Sequence, residues 1–141
     1  MNEYRPEQRD RPEQRDVALA MRRGAFGRCP NCGKGKIFTS YLKVAPRCSA
    51  CGEDLSHHRA DDAPPYFTMM IVGHVVVAGI LACVIETEMP LWLLGVIFGT
   101  LTIVLSLVLL PMIKGAIIGL QWANRMHGFS GKADPDTLSP Y

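Results

Sequence analysis

Two stretches of this sequence lack charge altogether: residues 66–85 and 91–110 contain no Asp, Glu, Lys or Arg over 20 residues each. At about 1.5 Å per residue each run spans roughly 30 Å, the hydrocarbon thickness of a bilayer. Two such runs exclude an ordinary water-soluble core for this half of the chain. The turn between them, Glu86-Thr87-Glu88-Met89-Pro90, has no basic residue and is short enough to force antiparallel neighbours. Arg22 to Arg47 shows the opposite deficit, with seven basic residues and no acidic one. Such a stretch suits anionic lipid headgroups, nucleic acid or the surroundings of an anionic metal centre. The first 28 residues lack the apolar core of about 7–15 residues that a signal peptide needs, so the first span is expected to insert and stay. Outside the spans there is no Ser/His/Asp set and no phosphate loop, so the chain is expected not to be an enzyme.

Charge divides the chain in two. Residues 1–62 hold 12 of the 15 Lys and Arg, so the modest net charge of +2 averages a polar half and a lipid-soluble half. Residues 1–23 read as a disordered tail carrying the tandem hexapeptide Arg5–Asp10 and Arg11–Asp16, which has no apolar side chain to bury. Val17 to Met21 suggests at most a turn of helix before Gly24. Residues 24–56, rich in Gly, Pro and Cys, are expected to form a small metal ribbon, with strand-like runs at Lys36–Phe38 and Tyr41–Val44. Residues 57–65 form a polar connector whose prolines, Pro64 and Pro65, suit the first turn of a helix.

Transmembrane helices are expected over 66–85 and 91–111, joined by the turn 86–90. Pro111 is expected to end the second. An interfacial amphipathic helix over 112–127 and a disordered tail over 128–141 would follow. Basic residues flank both spans on one side (Arg22 to Arg59, then Lys114, Arg125 and Lys132), which predicts both termini in the cytoplasm. Tyr66 and Trp92 sit near span ends, as interfacial aromatics do.

The sharpest motif is Cys29-Pro30-Asn31-Cys32, then 15 residues, then Cys48-Ser49-Ala50-Cys51. Two CxxC turns at this spacing each aim two sulfurs at one ion, the pattern of a tetrahedral zinc site. Gly33 and Gly52 directly follow the pairs; a positive φ there would let backbone N–H groups face the thiolates. Two disulfides would need an oxidising compartment, a redox CxxC is usually single, and an iron–sulfur centre also uses four cysteines. With four Cys and no open position, a zinc ion here would be structural. Arg28, Lys34, Lys36 and Arg47 would then offset its formal charge of about −2. The fifth cysteine, Cys83, reads as a packing residue.

Other residues also draw notice. His74 lies close to the centre of the first span, where an ionisable side chain is a functional hypothesis by default. Its bland reading is a neutral imidazole bonded to Thr100, Thr102 or Ser106 of the second span or to a partner. Asp61 and Asp62, beside His57 and His58, stand at the membrane mouth, where they suit a helix N-terminus or a second metal site. Lys114 follows the second span. Gly95–Gly99 and Gly115–Gly119 are GxxxG pairs, which let helices approach closely within the hairpin, in a homo-oligomer or against a partner.

Together these motifs resemble a bacterial membrane family of unknown function, domain of unknown function 983. The residues carrying the likeness are Cys29–Phe38, Tyr41–Val44, Cys48–Gly52, Ala60–Phe67, Gly73-His74 and Leu110–Gly115, within about residues 24–128. The fold expected is a membrane α protein: a two-helix transmembrane hairpin preceded by a small cytoplasmic zinc ribbon, a short β-hairpin with two CxxC knuckles. Members are often found beside genes for haem–copper terminal oxidases and their assembly factors. The resemblance therefore implies an accessory or assembly role at a larger complex of the bacterial inner membrane. Two further expectations stand beside it: haem, copper or proton handling through His74 and the Asp61/Asp62 mouth, and a membrane-tethered regulator whose ribbon binds nucleic acid.

Overall fold

The computed structural model describes residues 15–57, 63–126 and 128–130. Helix α1 spans Val17–Ala25. Asp16 caps it, its Oδ1 accepting from the Leu19 N–H at 3.1 Å, so an otherwise unpaired first-turn donor is satisfied. The sequence boundary of a disordered tail at residue 23 therefore does not hold for this segment. Asp16 closes the second hexapeptide, and its neighbour Arg15 stacks at 4.0 Å over the Trp122 ring and donates to the Trp122 carbonyl at 2.8 Å. The first hexapeptide, with the rest of residues 1–14, lies outside the described residues.

The ribbon follows. Strands β1 (Phe38–Ser40) and β2 (Lys43–Val44) pair antiparallel, with an irregular register between Phe38 and Ser40. Tyr41 and Leu42 form the turn rather than strand, because Leu42 adopts a φ of 61°. Two isolated antiparallel bridges, Arg28 with Lys36 and Arg47 with Asp54, close the two cysteine turns.

Helix α2 spans Ala63–Glu86 and α3 spans Leu91–Ala123; both are long and apolar enough to cross a membrane. Pro64 and Pro65 lie in the first turn of α2, where a missing N–H costs nothing. The two helices form a hairpin in which the Phe98 ring packs over Gly79, where a side chain would collide with it.

Pro111 does not end the second span: α3 runs through it for 33 residues, about 50 Å. Proline removes the donor for the carbonyl four residues back, that of Leu107. The Tyr41 hydroxyl supplies the replacement, donating to the Leu107 oxygen at 2.9 Å. Of the expected interfacial helix over 112–127, residues 112–123 are instead the continuation of α3, which Asn124 ends. The faces of that continuation are covered by the rest of the polar half, so it has no need to lie on a membrane.

One cover is α1. Ala20 and Gly24 lie four apart on α1 and abut Gly119 and Gly115 of α3; a Cβ on Gly24 or Gly115 would run into the other's carbonyl. The order of these contacts makes α1 antiparallel to α3. The other cover is the ribbon, whose core of Cys29, Ile37, Cys48 and Leu55 is completed by Ile118 of α3. Ile37, Leu55 and Ile118 are fully buried. Burying each such side chain contributes about 1.5–3 kcal/mol. A small ribbon has little core of its own, so it shares that of α3.

Candidate metal centre

Each cysteine turn is built by its backbone. The Gly33 N–H donates to the Cys29 carbonyl at 2.8 Å and the Gly52 N–H to the Cys48 carbonyl at 3.0 Å. Both glycines take the left-handed conformation expected of them, with φ of 69° and 73°. The chain after each turn then clamps it: the Cys29 N–H reaches the Gly35 carbonyl at 2.8 Å and the Cys48 N–H the Glu53 carbonyl at 2.9 Å. Gly35 is needed for another reason, since a Cβ there would strike the Cys48 sulfur.

The four sulfurs of Cys29, Cys32, Cys48 and Cys51 lie within 4.8 Å of one another. Cys29 and Cys51, like Cys32 and Cys48, have Sγ atoms 3.8 Å apart, far beyond a disulfide bond. For a metal–sulfur bond of about 2.3 Å, the edge of a regular tetrahedron is about 3.8 Å. The donor set therefore fits one tetrahedrally coordinated ion.

Backbone donors face the sulfurs. The Lys34 N–H lies 3.4 Å from the Cys32 sulfur and the Ala50 N–H 3.4 Å from that of Cys48. The N–H groups of Gly35 and Lys34 lower the Cys32 thiol to about 6. Burial pushes Cys29 and Cys51 the other way. Without an ion the site is thus one ready thiolate beside two reluctant thiols; a cation must supply the rest of the driving force for deprotonation.

A second set of contacts fastens this centre to α3. Glu53, two residues after Cys51, accepts from the Trp122 indole N–H at 2.9 Å and from the Asn31 amide at 3.1 Å. One carboxylate thereby joins both cysteine turns to the end of the long helix. Sequence reading missed Glu53, Trp122 and Tyr41, because they act through two links, Tyr41 to Leu107 and Trp122 to Glu53, that cross 66 and 69 residues.

The family described as protein of unknown function (DUF983) matches residues 38–122. The chain belongs to that family. The match begins at β1 and ends at Trp122, so it takes in the second cysteine pair, both long helices and the end of α3 where the ribbon docks; the first pair lies before it. No curated protein and no solved structure matches the chain.

The remaining expected site residues fall elsewhere. His74 is exposed on α2 and hydrogen-bonds to none of Thr100, Thr102 and Ser106; its Nδ1 lies 2.6 Å from the Met70 carbonyl of its own helix. A carbonyl at that distance calls for Nδ1–H, and in the neutral ring that leaves Nε2 as the acceptor, on an exposed side chain. Gly95 and Gly99 do not pack α2 against α3: a Cβ at either would meet nothing within 4 Å. The close-approach role belongs to Gly115 and Gly119, toward α1. Lys114 is half-buried beside that contact. Asp61, Asp62 and His58 lie outside the described residues, while His57 packs edge-on to Phe129, with centroids 5.8 Å apart.

Proposed function

We propose that this chain is a non-enzymatic accessory or assembly protein of a bacterial inner membrane, whose ribbon holds one structural zinc ion and serves as a docking module for a larger membrane complex. Both termini face the cytoplasm, on the strength of the basic flanks and the uncharged-to-acidic turn between the spans. The observation that carries the reading is the incompleteness of the hairpin. Only about 11 % of each apolar span is buried. His74 is exposed on α2, and Gly95 and Gly99 line an unfilled groove of about 400 Å³ shared with Val76, Ile80 and Val84 of α2. An imidazole acceptor in hydrocarbon and a stripe made for close approach both ask for another helix. The family's genomic company favours a haem–copper terminal oxidase or its assembly factors as that partner.

Zinc is favoured over a polynuclear cluster because the four sulfurs lie close enough together to surround one ion; an iron–sulfur cluster divides its four thiolates among two or four irons, which sets them further apart. A closed four-thiolate shell leaves no position for substrate. The test is affinity purification of the tagged full chain in mild detergent, with mass spectrometry of its partners and metal analysis of the same sample. Membrane-complex subunits with about one zinc per chain are expected. Zinc without any membrane partner would refute the docking role, and a coloured iron site would refute the zinc assignment.

The exposure of His74, with only Nδ1 engaged by its own helix, supports a second reading, in which Nε2 ligates haem or copper or passes a proton within the complex. His74→Ala would then abolish function at unchanged abundance and unchanged partner binding. A functionally silent variant removes this reading and leaves the first intact.

A further inference from the structure

We infer that the underside of the ribbon carries a binding site for the phosphate headgroup of an anionic phospholipid, formed by Arg22 and Arg28 with Phe26 as an apolar foot. The inference rests on the membrane placement proposed above, but neither on the zinc assignment nor on any protein partner.

The first observation is the cleft itself, of about 500 Å³, lined by Arg22, Arg23, Phe26, Arg28, Cys32 and Gly33. It has three guanidinium groups and no carboxylate. Arg23 is committed to the fold: it donates to the carbonyls of Pro30 at 3.2 Å and Asn31 at 2.8 Å and lies across Gly33. Arg22 and Arg28 are exposed, and among the described residues neither guanidinium has an ion-pair or hydrogen-bond partner. Two uncommitted guanidinium forks at one cleft match the planar, multidentate recognition of a phosphate oxyanion.

Depth is the second observation. Because α1 runs antiparallel to α3, its C-terminal end points toward the apolar spans. Leu110 of α3 and Pro65 of α2 line one groove and so mark a common level at the edge of the apolar zone. Gly115 lies five residues, about 7.5 Å, beyond Leu110. Gly24 sits against Gly115, and Phe26 comes two residues further toward the membrane, about 3 Å back. Phe26 therefore stands roughly 4–5 Å above the hydrocarbon, inside a headgroup layer of about 5–8 Å. There it is 70 % exposed, an orphan ring in water and a well-placed one among lipids. Tyr41 confirms the tilt of the ribbon toward this level through its bond to Leu107, three residues inside the apolar zone.

A free phosphate ion would use the arginines but not Phe26, and nucleic acid would have to enter a cleft that opens at the headgroup level. The lipid uses both features. Loss of each arginine is expected to weaken retention roughly fivefold.

The test uses the full chain as purified in detergent with its metal, offered phosphatidylglycerol or phosphatidylcholine, with retained lipid counted by native mass spectrometry. The wild type should keep phosphatidylglycerol in preference to phosphatidylcholine. The double variant R22Q/R28Q should lose most of that preference with its metal content unchanged, while K43Q/R47Q, which removes the same charge outside the cleft, should keep it. An equal loss in both variants would reduce the site to diffuse attraction and overturn the inference. Displacement of the lipid by millimolar inorganic phosphate or by a short oligonucleotide would also overturn it. Should R22Q/R28Q fail to fold, the wild type's own lipid preference decides. A chain that never partitions into membranes refutes the placement proposed above as well; one that partitions and ignores headgroup charge refutes this inference alone.

Discussion

Replacing Tyr41 with Phe removes one hydroxyl and leaves the Leu107 carbonyl without a donor. Its own helix cannot help, because residue 111 is proline and has no N–H. In the membrane placement proposed above the Leu107 carbonyl faces hydrocarbon, where leaving it unsatisfied costs about 1–3 kcal/mol, so the single variant should be destabilised by that amount. In a Pro111→Ala background the helix regains its own donor to Leu107. Tyr41→Phe should then cost well under about 1 kcal/mol, which gives a coupling energy of about 1–2 kcal/mol between positions 70 residues apart. The assay is reversible unfolding in mixed micelles with rising denaturing detergent, followed by tryptophan fluorescence, on all four members of the cycle. Metal content is measured alongside, to show that the ribbon stays folded. Equal costs of Tyr41→Phe in both backgrounds would refute the claim that the tyrosine repairs the proline gap.

Other expectations follow from the same contacts. Gly115→Val should lift α1 off α3 and cost about 1–3 kcal/mol or more, seen as faster hydrogen exchange across Val17–Ala25; Gly95→Val, facing open space, should leave exchange there unchanged. Ile118→Ala should cost about 2–5 kcal/mol and raise the rate at which a chelator strips the metal, because Ile118 closes the core that holds Cys29 and Cys48; an unchanged stripping rate would separate the metal site from α3. In folded, metal-stripped protein at neutral pH, Cys32 should be alkylated before Cys29 and Cys51. Its folded value of about 6 lies below the ordinary thiol value of about 8.5, so its thiolate supports the fold above that ordinary value and the support is lost as pH falls through about 6. Its labelling rate should fall over the same range, and labelling led by Cys29 would contradict the placement of the backbone donors. Cys48→Ser should remove a fixed ligand and the stoichiometric metal with it, as read by metal analysis of the purified chain.

Much of the protein was determined by local sequence. The two uncharged runs dictated two long apolar helices, since backbone polar groups in hydrocarbon must bond within their own segment. The two CxxC pairs with their glycines dictated two tight turns converging on one ion, because the geometry of each turn spans only a few residues. What local sequence did not decide is how these pieces are joined. Pro111 reads as a stop until a tyrosine from the ribbon reaches its orphaned carbonyl. Gly24 reads as a helix breaker until it meets Gly115, where only a missing side chain permits the approach. Residues 112–123 read as a surface helix until α1 and the ribbon cover it from two sides. His74 reads as a bridge within the hairpin until its place on α2 leaves it exposed. Each of these outcomes depends on a neighbour supplied from far along the chain. Periodicity and propensity describe what a segment prefers alone, and only tertiary packing determines which polar groups find partners and which faces remain exposed.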